Sequence, residues 1–305
     1  MSKQTIKWLL FHEPAELFIR TAEQFNEEIN KLTGDKYNIE ILKLEDYNEK
    51  YNNRQPCDPL AELKAGRVHM SQMYVNTLAL SNATDFYALG LPFLFTSHDH
   101  ATRVFEGNVG TELLEHLHNK LQVKGLSFTY SGGYKVLGST TPVKCLNDLK
   151  NLTYTAKENA IWTDMFNTLG MKATQDKASA DVTQTTFPRY HVECHNKQNF
   201  VSSTGHSMYL TTILTNEDMW NSLDLEDQMH FQTAAKICAR TERAKSVADA
   251  EEIATDKDKQ DSLGISEVID FDADEIQKMK DMLAPITAKW EKYFTNGLVD
   301  KIRKA

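Results

Sequence analysis

Roughly the first hundred residues alternate apolar segments of two different periods, and that alternation restricts the fold more than any other feature. Ile6 to Phe11 is an apolar run of strand length. Ala15, Phe18, Ile19, Ala22, Phe25, Ile29 and Leu32 then recur at helical spacing, and Gly34-Asp35 ends the pattern. Tyr37 to Lys43 alternates as a strand does. After a polar, Asn-rich stretch, Asp58 is placed to cap a helix running through Leu63 to Gly66, and Val68 to Met73 reads as a third strand. Strand, helix, strand, helix, strand predicts an α/β protein built on a parallel sheet.

The next segment, Ala88 to Leu117, opens with Leu89-Gly90-Leu91-Pro92-Phe93-Leu94-Phe95. Pro92 lacks a backbone donor, so this apolar run is predicted to be a bent, buried crossover and not a central strand. Ser97 to His100 supplies capping chemistry for a helix carrying Ala101, Val104 and Phe105. Gly107 and Gly110 interrupt the chain before Leu113, Leu114 and Leu117. Further strands are expected at 125–130, 136–140, 152–156, 190–194, 208–214 and 268–271, with a helix over 160–169. Ser131-Gly132-Gly133 marks a first crossing between domains. From Leu223 to about Asp261, Phe231, Ala234, Ala235, Cys238, Thr241, Ala244 and Ala248 keep one helical face small and apolar. A helix of that length spans ~50 Å, more than one domain of this size, so it is expected to lie across two.

The length of 305 residues suffices for two domains with their own cores. The formal charge of -9 argues against a nucleic-acid surface. No apolar run approaches the roughly 20 residues of a membrane span. Cys57, Cys145, Cys194 and Cys238 are widely spaced and read first as isolated thiols, with one or two disulfides as the alternative in an oxidising compartment.

Gly90 to Phe95 with its following helix and Gly-x-x-Gly break, Asp148-Leu149-Lys150-Asn151-Leu152, and Leu214 to Gln228 (LTNEDMWNSLDLEDQ) resemble the solute receptors of TRAP transporters. The likeness extends over nearly the whole chain. It implies a two-lobed periplasmic binding protein fold with a long helix spanning both lobes. It implies no catalysis and no cofactor or metal. It further implies a monomer that captures a small organic solute between the lobes and delivers it to the permease subunits of the membrane. The location implied is periplasmic, any signal peptide having been removed. The lobes are expected at 1–130 plus about 212–250, and at 131–211 plus about 251–305, with crossings near 131–133 and 207–213.

The chain departs from the family where the solute would sit. Thr155 stands where the resemblance places an Arg that pairs with a carboxylate, and a hydroxyl has no guanidinium fork. Lys135 stands at a second Arg position. Val192 to Gln198 replaces a segment whose Asn lines the pocket, and about a dozen residues are missing before Thr204-Gly205-His206 by that comparison. Strand ends and these correspondences give a ligand site of His12, Glu13, Tyr74, Asn76, Tyr134, Lys135, Thr155, Lys157 and His195. The solute is expected not to be a simple dicarboxylate. Two other functions compete. His191, Glu193 and His195 would share one face of a strand and could serve a metal-binding or enzymatic protein. Alternatively the fold is repurposed for sensing or for a protein partner.

Overall fold

The computed structural model describes residues 3–155, 159–195 and 197–305. Strands β1 (Gln4–Leu10), β2 (Tyr37–Lys43) and β3 (Met70–Tyr74) form where the alternation places them. They belong to a first sheet that continues through β4 (Val123–Tyr134). A second sheet holds β5 (Val136–Ser139), β6 (Thr153–Thr155), β7 (Lys172–Thr174), β8 (Val182–Thr185) and β9 (Phe200–Ser203). Next, β10 (Met208–Asn216) returns to the first sheet, and β11 (Glu267–Asp270) closes the edge of the second. The strand orders are β2-β1-β3-β10-β4 and β11-β9-β5-β8-β6-β7. β1 pairs in parallel with β2 and β3, as expected of βαβ units. β10 is antiparallel to both β3 and β4, so the sheet is mixed and not purely parallel.

The chain passes from the first sheet to the second between β4 and β5 and back between β9 and β10, and the two returning strands pair, Tyr134 opposite Met208. Gly132 and Gly133 hold φ of 89° and 75° inside β4, a region open to glycine. At Gly132 a Cβ would come within 2.2 Å of Thr186 Oγ1. The expected break is therefore a continuous strand whose glycines admit the second lobe's Thr186 against its backbone.

The long helix runs from Leu225 to Thr255, 31 residues and about 47 Å. Asp224 caps it by accepting from Asp227 N. It ends before Asp261 because Asp256 caps a separate short helix, Lys257–Ser262. Its first half packs Phe231, Ala234, Ala235 and Cys238 on Trp8 and Phe25 of the first lobe. Glu242, 2% exposed, takes both arms of Arg20 from the helix Ala15–Thr33 at 2.6 Å. Ser246 Oγ accepts from Gly132 N at 3.2 Å. Beyond it, Ala250, Ile253 and Ala254 pack on Val136, Tyr190 and Val201 of the second lobe. The helix thus touches the first lobe, the crossing and the second lobe in turn.

The run around Pro92 is a bent connection, as its proline requires. Phe93 N donates to His206 O, and Ser97 caps the helix His98–Glu106 by accepting from His100 N. The last residues return to the first lobe: Thr295 bonds Asp85, and His100 Nε2 meets Ile302 O at 2.8 Å. The segment 190–194, expected as a strand, is helical (Tyr190–Glu193), and β7, β8 and β9 lie in stretches without a strand signature. Pro188 opens a turn at Phe187–Arg189 that feeds this helix, which local alternation alone does not reveal. Among the described residues no cysteine forms a disulfide.

Gly132→Ala is expected to lose about 2–5 kcal/mol in chemical denaturation, the sum of a left-handed penalty and a clash with Thr186. Gly205→Ala, with open space around its Cβ at φ 57°, should lose only about 1–2 kcal/mol. Equal losses at the two positions would show that close approach is not what demands glycine at the crossing.

Candidate functional site

Between the two sheets lies a cavity with water-sized space of about 20 Å³, lined by Tyr74, Asn76, Lys135, Asn159, Trp162 and Tyr209 together with apolar side chains from 75–90 and 208–210. Local sequence explains the placement. Tyr74 ends β3 and precedes the helix Val75–Leu80, so Tyr74 and Asn76 stand at the carboxyl edge of the first sheet. Asn159 caps the helix Ala160–Thr168 by accepting from Ile161 N and Trp162 N, which sets Trp162 in its first turn. Lys135 and Tyr209 come from the crossing strands.

The two lobes meet across this cavity. Asn159 Nδ2 donates to Asn76 Oδ1 at 2.6 Å. The Lys135 ammonium lies 3.6 Å from the Trp162 ring centroid, a cation–π contact inside a buried wall. Trp162 Nε1 is buried without a hydrogen-bond partner among the described residues. A second small cavity, about 10 Å³ of water-sized space, lies against Trp162 and is lined by Tyr154, Thr155, Thr183 and Gln184. There the hydroxyls of Thr155 and Thr183 are likewise buried without a partner among the described residues. Buried polar atoms of this kind carry a desolvation cost until something bonds them.

Behind the tyrosines stands Arg189, 4% exposed, on the turn that follows β8. It donates to the Glu13 carbonyl, the Tyr74 hydroxyl, Ser131 Oγ (3.2 Å) and the Glu193 carboxylate (2.5 Å). Burial opposes its charge, but Tyr209, Tyr74 and Glu193 around it hold its pKa above the ordinary guanidinium value. Burial also raises the Tyr209 and Tyr74 hydroxyls, which stay protonated. His12 stacks on Tyr74 at 3.7 Å, and its Nε2 accepts from Tyr74 N at 3.3 Å. Its pKa falls well below the usual value through burial, with Arg189 adding repulsion. His206 is fully enclosed between Thr204 (2.6 Å) and Gln184 (2.7 Å), and burial lowers it to about 3, with Lys135 contributing.

Of the residues expected at the site, Tyr74, Asn76 and Lys135 line the main cavity and Thr155 the second one. His12 supports Tyr74 from behind. Glu13 is exposed; its carboxylate accepts from Ala15 N while its carbonyl takes Arg189. Tyr134 faces another depression, with Phe93 and Phe271, and donates to Phe95 O. His195 bonds Ala180 O at 2.8 Å, away from the main cavity. Lys157 lies outside the described residues. His191, Glu193 and His195 do not share a strand face, because 190–193 is helical: His191 is exposed and Glu193 is committed to Arg189. Among the described residues no cluster of His, Cys, Asp or Glu is arranged to hold a metal. Asn159, Trp162, Tyr209 and Arg189 were not expected. Asn159 had a local signal, an Asn just before an apolar helical pattern. Arg189 had none, since its partners across the cleft, Glu13, Tyr74 and Ser131, lie in remote parts of the sequence.

The profile of the family described as "Bacterial extracellular solute-binding protein, family 7" matches residues 11–182 and 183–293. A solute-binding protein of Verminephrobacter eiseniae is 26% identical, covering 93% of this chain and 84% of its own length. The C4-dicarboxylate-binding protein DctB of Bacillus subtilis is 22% identical, covering 92% and 80%. Among solved structures, a TRAP periplasmic solute-binding protein from Xanthobacter autotrophicus, with bound β-D-galacturonate, superposes with a TM-score of 0.79 at 22% identity, covering 98% of this chain and 99% of that one. Among the described residues no helix is long and apolar enough to cross a membrane.

Two outcomes test this geometry. Asn76→Asp and Asn159→Asp alone each leave a donor–acceptor pair across the cleft, and Asp keeps the cap, but each sets a carboxylate in the seam and should cost about 1–3 kcal/mol. The double variant sets two carboxylates face to face and should lose about 1–3 kcal/mol beyond the sum; additivity in denaturant titrations would remove the bridge from the account. His206 and His12 are held neutral when folded, whereas the unfolded chain takes up protons below about pH 6.5. Stability present above that pH should therefore fall as pH drops toward 3, by about 1.4 kcal/mol per unit for each histidine. His206→Gln should flatten that slope by its share; an unchanged slope would mean His206 is charged in the folded protein.

Proposed function

The chain belongs to the bacterial extracellular solute-binding protein family 7, and from that premise we propose that it is the solute receptor of a TRAP-type transporter. It works outside the cytoplasm as a monomer and hands its solute to membrane permease subunits. The lobes are 1–130 with about 212–250, and 131–211 with about 251–305, the last helix resting against the first lobe. The solute sits in the interlobe cavity against Tyr74, Asn76, Lys135 and Thr155, with Asn159, Trp162 and Tyr209 added, and no bond of it is made or broken. The observation that carries this reading is the closing seam, where one lobe's Asn159 and Trp162 meet the other's Asn76 around buried polar atoms that have no partner among the described residues.

The charges there argue against a simple dicarboxylate. Lys135 is the one formally charged side chain lining the main cavity among the described residues. Arg189 stands behind the tyrosines, its charge matched by Glu193. A second carboxylate would be buried against Trp162, Tyr209 and amides without a fixed cation, which is costly. Thr155, Thr183 and Gln184 suit hydroxyls instead, and the aromatic walls suit an apolar or cationic face. A hydroxylated or amine-bearing compound with at most one carboxylate and some apolar surface fits this lining. The relative that holds galacturonate, a hydroxylated monoacid, is of that chemical kind.

Native mass spectrometry of the purified protein, followed by calorimetry with succinate, malate, lactate and sialic acid against polyols, amines and aromatic compounds, tests the proposal. Succinate and malate should bind at least tenfold more weakly than the best member. Lys135→Ala should weaken carboxylated members about 10- to 100-fold and neutral ones little. Micromolar succinate binding undiminished in Lys135→Ala would overturn the charge argument.

A further inference from the structure

We infer that Arg189 is the positioning residue of the cleft: it pins Tyr74 and Tyr209 of the cavity wall and couples them to closure of the lobes, without touching the solute. Arg189 follows β8 of the second lobe, yet its Nη1 donates to the Glu13 carbonyl and the Tyr74 hydroxyl, at the carboxyl edge of the first lobe's sheet, and to Ser131 at the crossing. Its other edge, Nε and Nη2, is taken by Glu193 at 3.2 and 2.5 Å. Glu193 in turn accepts from the Tyr209 hydroxyl at 3.2 Å. Tyr74 and Tyr209 therefore end in one buried ion pair. The guanidinium also stacks 4.9 Å from the Tyr74 ring and 4.5 Å from that of Tyr209, and the rings meet edge-on at 4.8 Å.

The planar fork explains why an arginine is used. One edge faces its own lobe and stays with Glu193 whatever the lobes do. The other faces the first lobe and must let go of Tyr74 and Glu13 when the cleft opens. Closing the lobes and fixing the aromatic wall are then a single event. A lysine, as a point charge, would hold Glu193 but not both edges. Since Arg189 does not line the cavity, its effect on binding is exerted through Tyr74 and Tyr209.

The inference rests on the receptor reading only for what the wall is for, so its test is made on solute-free protein. The full chain is labelled with 3-fluorotyrosine and followed by fluorine NMR and small-angle X-ray scattering. Arg189→Met with Glu193→Gln removes both charges at once and leaves neither buried alone. That pair should broaden or shift the Tyr74 and Tyr209 signals and move the scattering curve toward a more open particle. Arg189→Lys, which keeps the charge, should move the Tyr74 signal and leave Tyr209 near its native position. The matched control is Arg67→Met with Glu62→Gln, which dismantles a similar Arg–Glu–Tyr cluster under Tyr47 in the first lobe. It should leave both cleft tyrosines and the scattering curve unchanged. Native signals and scattering in the Arg189 variants, or equal changes in the control, overturn the inference. A solute panel in which nothing binds counts against the receptor reading and leaves these signals as they are.

Discussion

Everything in this molecule hangs on the antiparallel contact between β4 and β10, the strands that leave and re-enter the first sheet. Each lobe has its own sheet, and the crossing joins them where β4 runs on into β5 and β9 leads back to β10. It also fixes where function can occur, because Tyr209, Ser131 and Lys135 sit on or beside it. The crossing requires backbone approach closer than a Cβ permits, and Gly132 against Thr186 meets that requirement. The long helix then braces the joint from outside. Its buried Glu242 is held by Arg20, and its Ser246 by the amide of Gly132.

Burial of charge is the second theme. Arg189, Lys135 and Glu242 are each less than 6% exposed, positions where an unmatched ion would be severely unfavourable. Glu242 meets the opposite charge of Arg20 from a distant part of the sequence, and Arg189 meets that of Glu193 one helical turn away, which makes each pair sensitive to the loss of one partner. The neutral histidines follow the same rule in reverse. His12 and His206 are enclosed beside cations, so the folded protein keeps them uncharged and transfers the pH dependence to the unfolded chain.

The exchange of a guanidinium for the Thr155 hydroxyl also reads differently in three dimensions. On its own the substitution removes a cation from the pocket. In the structure it leaves a small space beside Trp162 bordered by Thr155 and Thr183, while buried positive charge is carried by Lys135 and, behind the wall, by Arg189.

What the sequence alone determined was whatever short-range periodicity and capping encode. The strands at 4–10 and 37–43, the helix started by Asp224, the bent run at Pro92 and the family likeness all rest on neighbours within a few residues. Tyr74 and Asn76 were placed by strand ends in an α/β sheet and Lys135 by the family likeness, and all three line the main cavity. Only the tertiary structure decided the rest. β7, β8 and β9 carry too few residues for a period to show, and they exist because adjoining strands supply their hydrogen bonds. The helix at 190–193 replaced a strand-like alternation because the turn at Pro188 and the bond from Arg189 to Glu193 favour it. Arg189 itself could not be read in advance: its partners are Glu13, Tyr74, Ser131 and Glu193, and three of the four are separated from it by more than fifty residues. A side chain whose role is set by contacts so remote has no local pattern, and its meaning appears only once the two sheets are joined through the crossing strands.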